Sequence, residues 1–372
     1  MTEVRRHLTG VPLPASPSIL IIRPSALGDV CRSVPLAVSM RAAFPESRIS
    51  WLVQESFAPA VIDHPAVDEV VPFPRARLRR WWTPNGALDA IAWLRGLRSL
   101  PTSESSTGRR DRFGLVLDAQ GLGRSGLMTF ATGARRRIGF SDAREFGWLG
   151  CNERYRVNEV HTVDRMLALL DRAGIPPKPD LRLHCSIADE TWWVAERARR
   201  GIDRYAVIAP TSRWPTKDWP AEHWRHLTQA LIERGFTTVI AIGTSSERGR
   251  VAAALPDGAP AVVNLAGVTS VGQSMAVIAE SALVIANDSA PLHIAVGFDR
   301  PLLALFGPTD PARVGPYGRD ACVLRSDEAK RFRGSYRDAR IGDRLMRGLT
   351  VAEVTRALDA DVPQRGRVGA LR

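Results

Sequence analysis

Two short runs of uninterrupted apolar residues set the terms for this chain. They are Ser18-Ile-Leu-Ile-Ile-Arg23 near the start and Tyr205-Ala-Val-Ile-Ala-Pro210 past the middle. Neither alternates polar with apolar, so each reads as a strand buried on both faces, which needs a sheet with helices on both sides. The first run passes into the turn Pro24-Ser-Ala-Leu-Gly-Asp29. After it Val30, Val34, Leu36, Val38 and Met40 carry helical spacing, predicting a helix over 30–43. Further strands are expected at 48–53, 67–73 and 113–118, then at 237–242, 262–265, 283–286 and 302–306, with helices at 187–200 and 221–234. Strands alternating with helices call for parallel sheets. The fold class is α/β, with two doubly wound domains in succession.

The 372 residues suffice for two domains with real cores. Three prolines in GIPPKPDLR, 174–182, begin the connection between them. The expected division is a disordered polar tail over 1–17, an N-terminal domain over 18–185, a C-terminal domain over 186–330, and a terminal segment over 331–372 with a closing helix at 350–358. Residues 101–112 read as a polar loop, and no repeat of fixed period is visible.

Composition removes several function classes. A hydrophobic fraction of 45% with 24% charged residues is that of a globular protein, not a disordered one. No uncharged apolar run approaches the roughly 20 residues of a membrane span. Cys31, Cys151, Cys185 and Cys322 lack C-x-x-C spacing, against a disulfide scaffold or a zinc ribbon. The N-terminus has no apolar signal-peptide core, so a cytoplasmic protein is expected.

Lys+Arg number 51 against 39 Asp+Glu, giving +12, yet lysine occurs only at 178, 217 and 330. That skew fits genome composition as well as selection, and charge alone leaves nucleic acid, acidic substrates and anionic membranes open. Arg75-Ala-Arg-Leu-Arg-Arg-Trp-Trp82, with Arg135-Arg-Arg137 and Arg144, is either an ordinary solvated face or a docking surface for acidic or phosphorylated ligands at a membrane. Paired Trp81 and Trp82 suit an interface that is apolar on one side and wet on the other. No nucleic-acid-reading motif accompanies the charge.

Doubly wound sheets bind ligands beyond the carboxyl ends of their strands. The turns at 24–29, 119–124, 211–219, 243–247, 287–293 and 307–311 are therefore where chemistry is expected. Asp29 either caps the helix after the first strand or projects as a proton acceptor, kept anionic by the helix start. Thr211-Ser-Arg-Trp-Pro-Thr-Lys-Asp-Trp-Pro220 sets Lys217, a compact ammonium in an Arg-biased chain, at a strand end.

Ile285-Ala-Asn-Asp-Ser-Ala-Pro-Leu-His293 reads as a strand followed by a helix start, capped by Asp288 or Ser289, with Pro291 in its first turn. His293 lies one turn from Ser289, and free amides at the positive helix end make an anion site. The competing reading is a capped helix with a core histidine. Phe306-Gly-Pro-Thr-Asp-Pro311 closes over the same anion.

Gly121-Leu-Gly-Arg-Ser-Gly126 formally matches a dinucleotide fingerprint, with Asp142 downstream. It lies deep in the α/β pattern and Asp142 follows no obvious strand, so a flexible strand-to-helix turn is the better reading. His223 and His226 have no acidic ligand motif and read as a solvated helix face. The nucleophile elbow G-x-S-x-G and the P-loop G-x-x-x-x-G-K-[ST] are absent.

Taken together, ILIIRPSALGDVCRSVPLA, LVLDAQGLGRSG, RIGF, TSRWPTKDWP, NDSAPLHIA and LFGPTDPARVGPYG, in this order over about residues 18–318, resemble the lipopolysaccharide heptosyltransferases of glycosyltransferase family nine. DAQGL is closer in style to heptosyltransferase I, and NDSAPLH suits the wider family. The resemblance implies the GT-B fold of two facing Rossmann-like domains with a central cleft. It also implies inverting, metal-independent transfer of a heptose, with no cofactor, from ADP-heptose to a hydroxyl of a lipopolysaccharide inner-core acceptor. Asp29 would be the general base and Lys217 the group that stabilises the departing diphosphate.

By the same resemblance Asp288, Ser289, Ala290 and His293 would hold the diphosphate, with Thr211, Ser212, Glu247 and Thr309 also on the donor. Ala290 stands where the family has glycine. Arg23, Ser25, Gln120 and Arg144 would meet an acidic, phosphorylated lipid acceptor, with the basic N-domain face touching the membrane and no nucleic acid as partner. A GT-B-type sugar-nucleotide epimerase and a non-catalytic sugar-nucleotide or lipid-binding module are the alternatives.

Overall fold

The computed structural model describes residues 16–80, 83–100 and 113–360. Most of the expected N-terminal tail, the polar stretch 101–112, Trp81 and Trp82, and the last residues of the terminal segment lie outside them. The chain forms two compact units, one ending at Leu181 and the other beginning at Arg182, a little before the expected boundary at 185/186.

In the first unit six strands, β1 (Ile19–Ile22), β2 (Ile49–Gln54), β3 (Glu69–Phe73), β4 (Leu115–Asp118), β5 (Arg136–Phe140) and β6 (Glu153–Tyr155), are parallel in the order β3-β2-β1-β4-β5-β6. The helices are α1 (Leu27–Arg32), α2 (Val34–Ala43), α3 (Pro84–Gly96), α4 (Gly123–Ala131) and α5 (Thr162–Arg172). Instead of one helix over 30–43 there are two. Pro35 has no amide hydrogen to donate and its ring crowds the preceding turn, so α1 stops at Arg32 and Pro35 sits in the first turn of α2.

The second unit repeats the plan. Its strands are β7 (Tyr205–Ala209), β8 (Thr238–Ala241), β9 (Val262–Asn264), β10 (Leu283–Asn287), β11 (Leu302–Leu305) and β12 (Val323–Leu324), parallel in the order β12-β11-β10-β7-β8-β9. Helices α6 (Ile187–Arg200), α7 (Ala221–Glu233), α8 (Arg248–Ala253), α9 (Val271–Ala279), α10 (Ala290–Gly297), α11 (Pro311–Val314), α12 (Asp327–Arg331), α13 (Ala339–Arg347) and α14 (Val351–Asp359) surround them. In each sheet the first strand of the unit neighbours the fourth, and strand order reverses there. That is the switch point at which such sheets open a ligand-binding crevice.

The terminal segment packs into the second unit's core: Met346, Leu349 and Val354 are buried with Trp219, Trp224 and Leu305. Among the described residues no helix is long and apolar enough to cross a membrane.

The Gly121–Gly126 turn is a packing device, not a flexible loop. A Cβ on Gly126 would fall 2.1 Å from the Gly147 carbonyl oxygen, and one on Gly150 would fall 1.9 Å from that of Gly126. The glycines thus let α4 lie directly on the 3₁₀ turn Gly147–Gly150. Gly249, inside α8, has nothing within 4 Å of its would-be Cβ. The same substitution therefore has opposite signs at the two sites. Gly126→Ala lowers stability by about 1–3 kcal/mol through overpacking, and Gly249→Ala raises it by roughly 0.5–1 kcal/mol through helix propensity. Urea unfolding of both variants checks this; equal effects would contradict it.

Candidate functional site

In the first unit the chain leaves β1 at Arg23 and enters α1 with Ala26 at the cap position, where its side chain offers no acceptor. Asp29 is therefore not the cap. It lies in the helix's first turn and reaches back, its Oδ2 accepting from the Ala26 amide at 3.2 Å. Its Oδ1 is 3.3 Å from Arg23 Nη2 and also accepts from Arg32 Nη2. Both arginines are buried while the Asp29 side chain remains 29% exposed. Desolvation pushes this carboxyl up, but the charges of Arg23 and Arg32, with the two hydrogen bonds, outweigh it. Asp29 is held well below the usual carboxylate range.

Arg23 also donates through Nη1 to the Ala119 carbonyl, binding the end of β1 to the end of β4. There Asp118 is buried, accepting from the amides of Gln120 and Gly121, both at 3.0 Å, and from Ser125 Oγ at 2.9 Å. Burial prevails over these bonds and raises its carboxyl to about 6. Gln120 Oε1 accepts from the Ser25 amide at 3.3 Å, and Arg124 Nη2 lies 3.3 Å from Ser25 Oγ. Arg23, Ser25, Asp29 and Gln120 thus form one cluster at the switch point. The Arg144 amide donates to the Gly121 carbonyl at 3.0 Å, which puts its exposed side chain on the adjoining turn.

In the second unit the loop after β7 and the loop after β10 are tied by Asn287, which donates to the Pro210 carbonyl at 2.7 Å and accepts from the Trp219 amide at 3.3 Å. Across this tie Lys217 Nζ lies 2.6 Å from Asp288 Oδ2, with 15% and 8% of the two side chains exposed. The ammonium is also 5.1 Å from the centre of the Tyr336 ring, which meets Trp214 edge-on. Asp288 therefore neither caps α10 nor stands open to a diphosphate; an ammonium with so little access to water takes the nearest carboxylate. Ser289 does not cap either, since its hydroxyl donates to the Asn287 carbonyl at 3.2 Å, and no side chain caps α10. Ala290 opens the helix and His293 is buried on it.

Thr211 and Thr309 are buried, and their hydroxyls make no hydrogen bond among the described residues. Ser212 is engaged within the loop: its amide donates to Asp218 Oδ1 at 2.7 Å and its hydroxyl lies 2.9 Å from the same oxygen. Arg250 holds the other Asp218 oxygen and lies 3.5 Å from Glu247. Glu247 accepts from the Thr244 amide at 2.8 Å, so it closes the turn after β8. Burial raises the Asp218 carboxyl to about 6 in spite of the Ser212 bonds and the Arg250 charge.

Several expectations need correction. Arg136 cannot join a basic face: it is fully buried and bidentate to Glu153, with both bonds at 2.6 Å. Arg137 is drawn to the carbonyls of Ala134 and Gly150. Of the histidine pair, His226 is exposed, whereas His223 packs against Trp219 with ring centres 5.0 Å apart, and burial lowers its pKa.

Sequence reasoning also missed Arg32, Asp118, Asp218 and Tyr336. Arg32 was readable from its i,i+3 spacing to Asp29, and Asp118 from its place at a strand end. No local signal marks Tyr336. Among the described residues no His, Cys, Asp and Glu side chains are grouped to hold a metal ion.

The family model described as glycosyltransferase family 9 (heptosyltransferase) matches residues 107–338. The chain belongs to glycosyltransferase family 9. Lipopolysaccharide heptosyltransferase 1 of Pseudomonas aeruginosa is 31% identical to it over 331 residues, covering 83% of this chain and 84% of that one. The structure of the Escherichia coli ADP-heptose lps heptosyltransferase II aligns with a TM-score of 0.70 at 23% identity, over 93% of this chain and 99% of the other. That of Escherichia coli heptosyltransferase WaaC with ADP-2-deoxy-2-fluoro heptose aligns with a TM-score of 0.69 at 23% identity, over 92% and 99%. This family member is a glycosyltransferase of GT-B-like fold.

The raised Asp218 carboxyl in this glycosyltransferase has a checkable consequence. Between an ordinary value near 4 and its own value of about 6, the folded protein holds a proton that the unfolded chain releases. The contribution of Asp218 to stability therefore rises as pH falls through that window. The urea midpoint of the wild type, minus that of Asp218→Asn, should increase from pH 7 to pH 5. A flat or falling difference contradicts the assignment.

Proposed function

We propose that this glycosyltransferase moves a heptose from ADP-heptose to a hydroxyl of a lipopolysaccharide inner-core acceptor, with inversion at the anomeric carbon. The observation that carries this is the pairing of opposite chemistries at equivalent places. A carboxylate held ionised lies at the switch point of the first sheet, and an ammonium fixed on a carboxylate lies at that of the second. The named relative is a lipopolysaccharide heptosyltransferase, and one enzyme sharing the fold was solved with an ADP-heptose analogue, which supports the choice of donor. The epimerase and binding-module readings find no such support.

In the proposed step the acceptor oxygen bonds to the anomeric carbon while the bond from that carbon to the diphosphate oxygen breaks. The electron pair leaves with ADP and the hydroxyl proton passes to Asp29. A carboxylate with so low a pKa is a weak base. It takes the proton late, once bonding to carbon has made the hydroxyl strongly acidic, and its merit is to be ionised at every working pH.

Asp288 orients Lys217, which keeps further N–H donors for the leaving diphosphate. The α10 amides, free of a side-chain cap, and the Thr211 and Thr309 hydroxyls add neutral donors. Ser289, Ala290 and His293 line the same helix start, and Ser212 and Glu247 act by shaping the loops. Arg23 and Gln120 fix the acceptor turn through Ser25 and Ala119, and exposed Arg144 meets the acceptor's acidic groups. The acceptor is a phosphorylated lipid, which implies a cytoplasmic protein in peripheral contact with the membrane.

Asp29→Asn should lower kcat by about 10²–10⁴-fold with little change in donor affinity, and Lys217→Ala by about 10²–10³-fold. Steady-state transfer assays with calorimetric ADP titration check both. Wild-type turnover in Asp29→Asn would remove the base assignment. In a calorimetric comparison of ADP-, UDP- and GDP-sugars the ADP-sugar should bind tightest; preference for another nucleotide would overturn the heptose donor but not the transferase class.

A further inference from the structure

Away from the strand-end clusters, two packed elements of the first unit present an apolar face to solvent. On α4 and the adjoining turn Gly147–Gly150, with the residue before it, Leu127, Phe130, Phe146 and Leu149 are 54%, 55%, 73% and 62% exposed. The glycine contacts described above fix these two elements, which carry the four side chains, against each other. Scattered exposed apolar residues are ordinary, but several large ones on neighbouring elements mark an interaction site.

Glu145 and Phe146 both adopt left-handed backbone conformations, with φ of +56° and +57°. Bulky residues take that conformation at a cost. Here it brings no burial in return, since Phe146 points into solvent.

The surroundings say what covers this face. The Arg137 guanidinium lies 5.8 Å from the centre of the Phe130 ring while its Nε donates to the Gly150 carbonyl at 2.8 Å. Arg98 Nε donates to the Ala131 carbonyl at the end of α4 at 3.0 Å, and Arg124 and Arg144 are exposed at its start. Glu145, within this border, accepts from the Gly123 amide at 3.3 Å. An apolar centre with exposed Arg98, Arg124 and Arg144 at its border complements a bilayer of anionic lipid: these three guanidinium groups meet headgroup phosphates while Phe and Leu side chains enter the acyl boundary.

We propose that this face of α4 and the Gly147–Gly150 turn is the membrane-docking surface. It deepens the function proposed above and rests on it for the nature of the acceptor. Arg124 touches Ser25, and the Arg144 amide holds the Gly121 turn beside Gln120, so a lipid-anchored acceptor leaving the bilayer here meets the Asp29 cluster within the same unit.

The test is co-sedimentation of the full chain with phosphatidylcholine vesicles, with and without about 30 mol% phosphatidylglycerol. The wild type should partition onto the anionic vesicles, and the double variant Phe146→Ser/Leu149→Ser should lose at least about tenfold in partition. Turnover of a delipidated acceptor should be equal in both, which shows that the variant is folded. Equal partition of the two proteins, or no wild-type binding to anionic vesicles, overturns the proposal. So does a wild-type dimer that the double variant dissociates, since the face is then an interface between copies. Absence of any transfer by the wild type to the delipidated acceptor counts against the function proposed above, while the vesicle result still decides the docking face.

Discussion

Asp29 pairs with two buried guanidinium groups and accepts from one backbone amide, and this arrangement fixes the charge state at the end of the first strand. A single arginine would merely pair the carboxylate; two leave it ionised with positive charge to spare. Arg23 comes from the end of β1 and Arg32 from the far end of α1, so the same contacts that set the charge state also set the angle at which the helix leaves the sheet. Arg23 reaches on to the β4 turn, where Asp118 gathers two amides and a hydroxyl. The two carboxylates experience opposite outcomes: burial wins at Asp118, and neighbouring charge wins at Asp29.

The second unit solves a related problem with the signs exchanged. Lys217 is the cation to be positioned, and Asp288 holds it in place across the Asn287 tie. The pairing lowers the free charge at the site, so in the proposed mechanism stabilisation of a leaving diphosphate would fall jointly to the remaining ammonium donors, the open start of α10 and two buried hydroxyls. Tyr336, from the terminal segment, covers the loop by meeting Trp214 edge-on and lying over Lys217. The C-terminal helices thereby become part of the site's support, with α13 lying so close to Thr216 that a Cβ on Gly342 would fall 2.5 Å from its carbonyl oxygen.

What could be read from the sequence was what local chemistry determines. β1 and β7 were legible because uninterrupted apolar runs have few other uses, and their turns pointed to Asp29 and Lys217 because ligands gather at strand ends. β5 was hidden because Arg136 and Arg137 open it, and the glutamate that makes a buried arginine tolerable stands on β6. The partner of Lys217 lies 71 residues away, and no spacing rule announces it. Asp29 read as a cap candidate because the helix was expected to begin at residue 30, whereas α1 begins at Leu27 and places Asp29 inside its first turn.

The most direct test is the ¹³C carboxyl resonance of Asp29, assigned by its loss in Asp29→Asn and followed by pH titration in the wild type and in Arg32→Gln. The account predicts no titration of Asp29 between about pH 4.5 and 8 in the wild type, and a midpoint displaced upward when one guanidinium is removed. A wild-type midpoint at or above the ordinary carboxylate value, or one unmoved in Arg32→Gln, would contradict it.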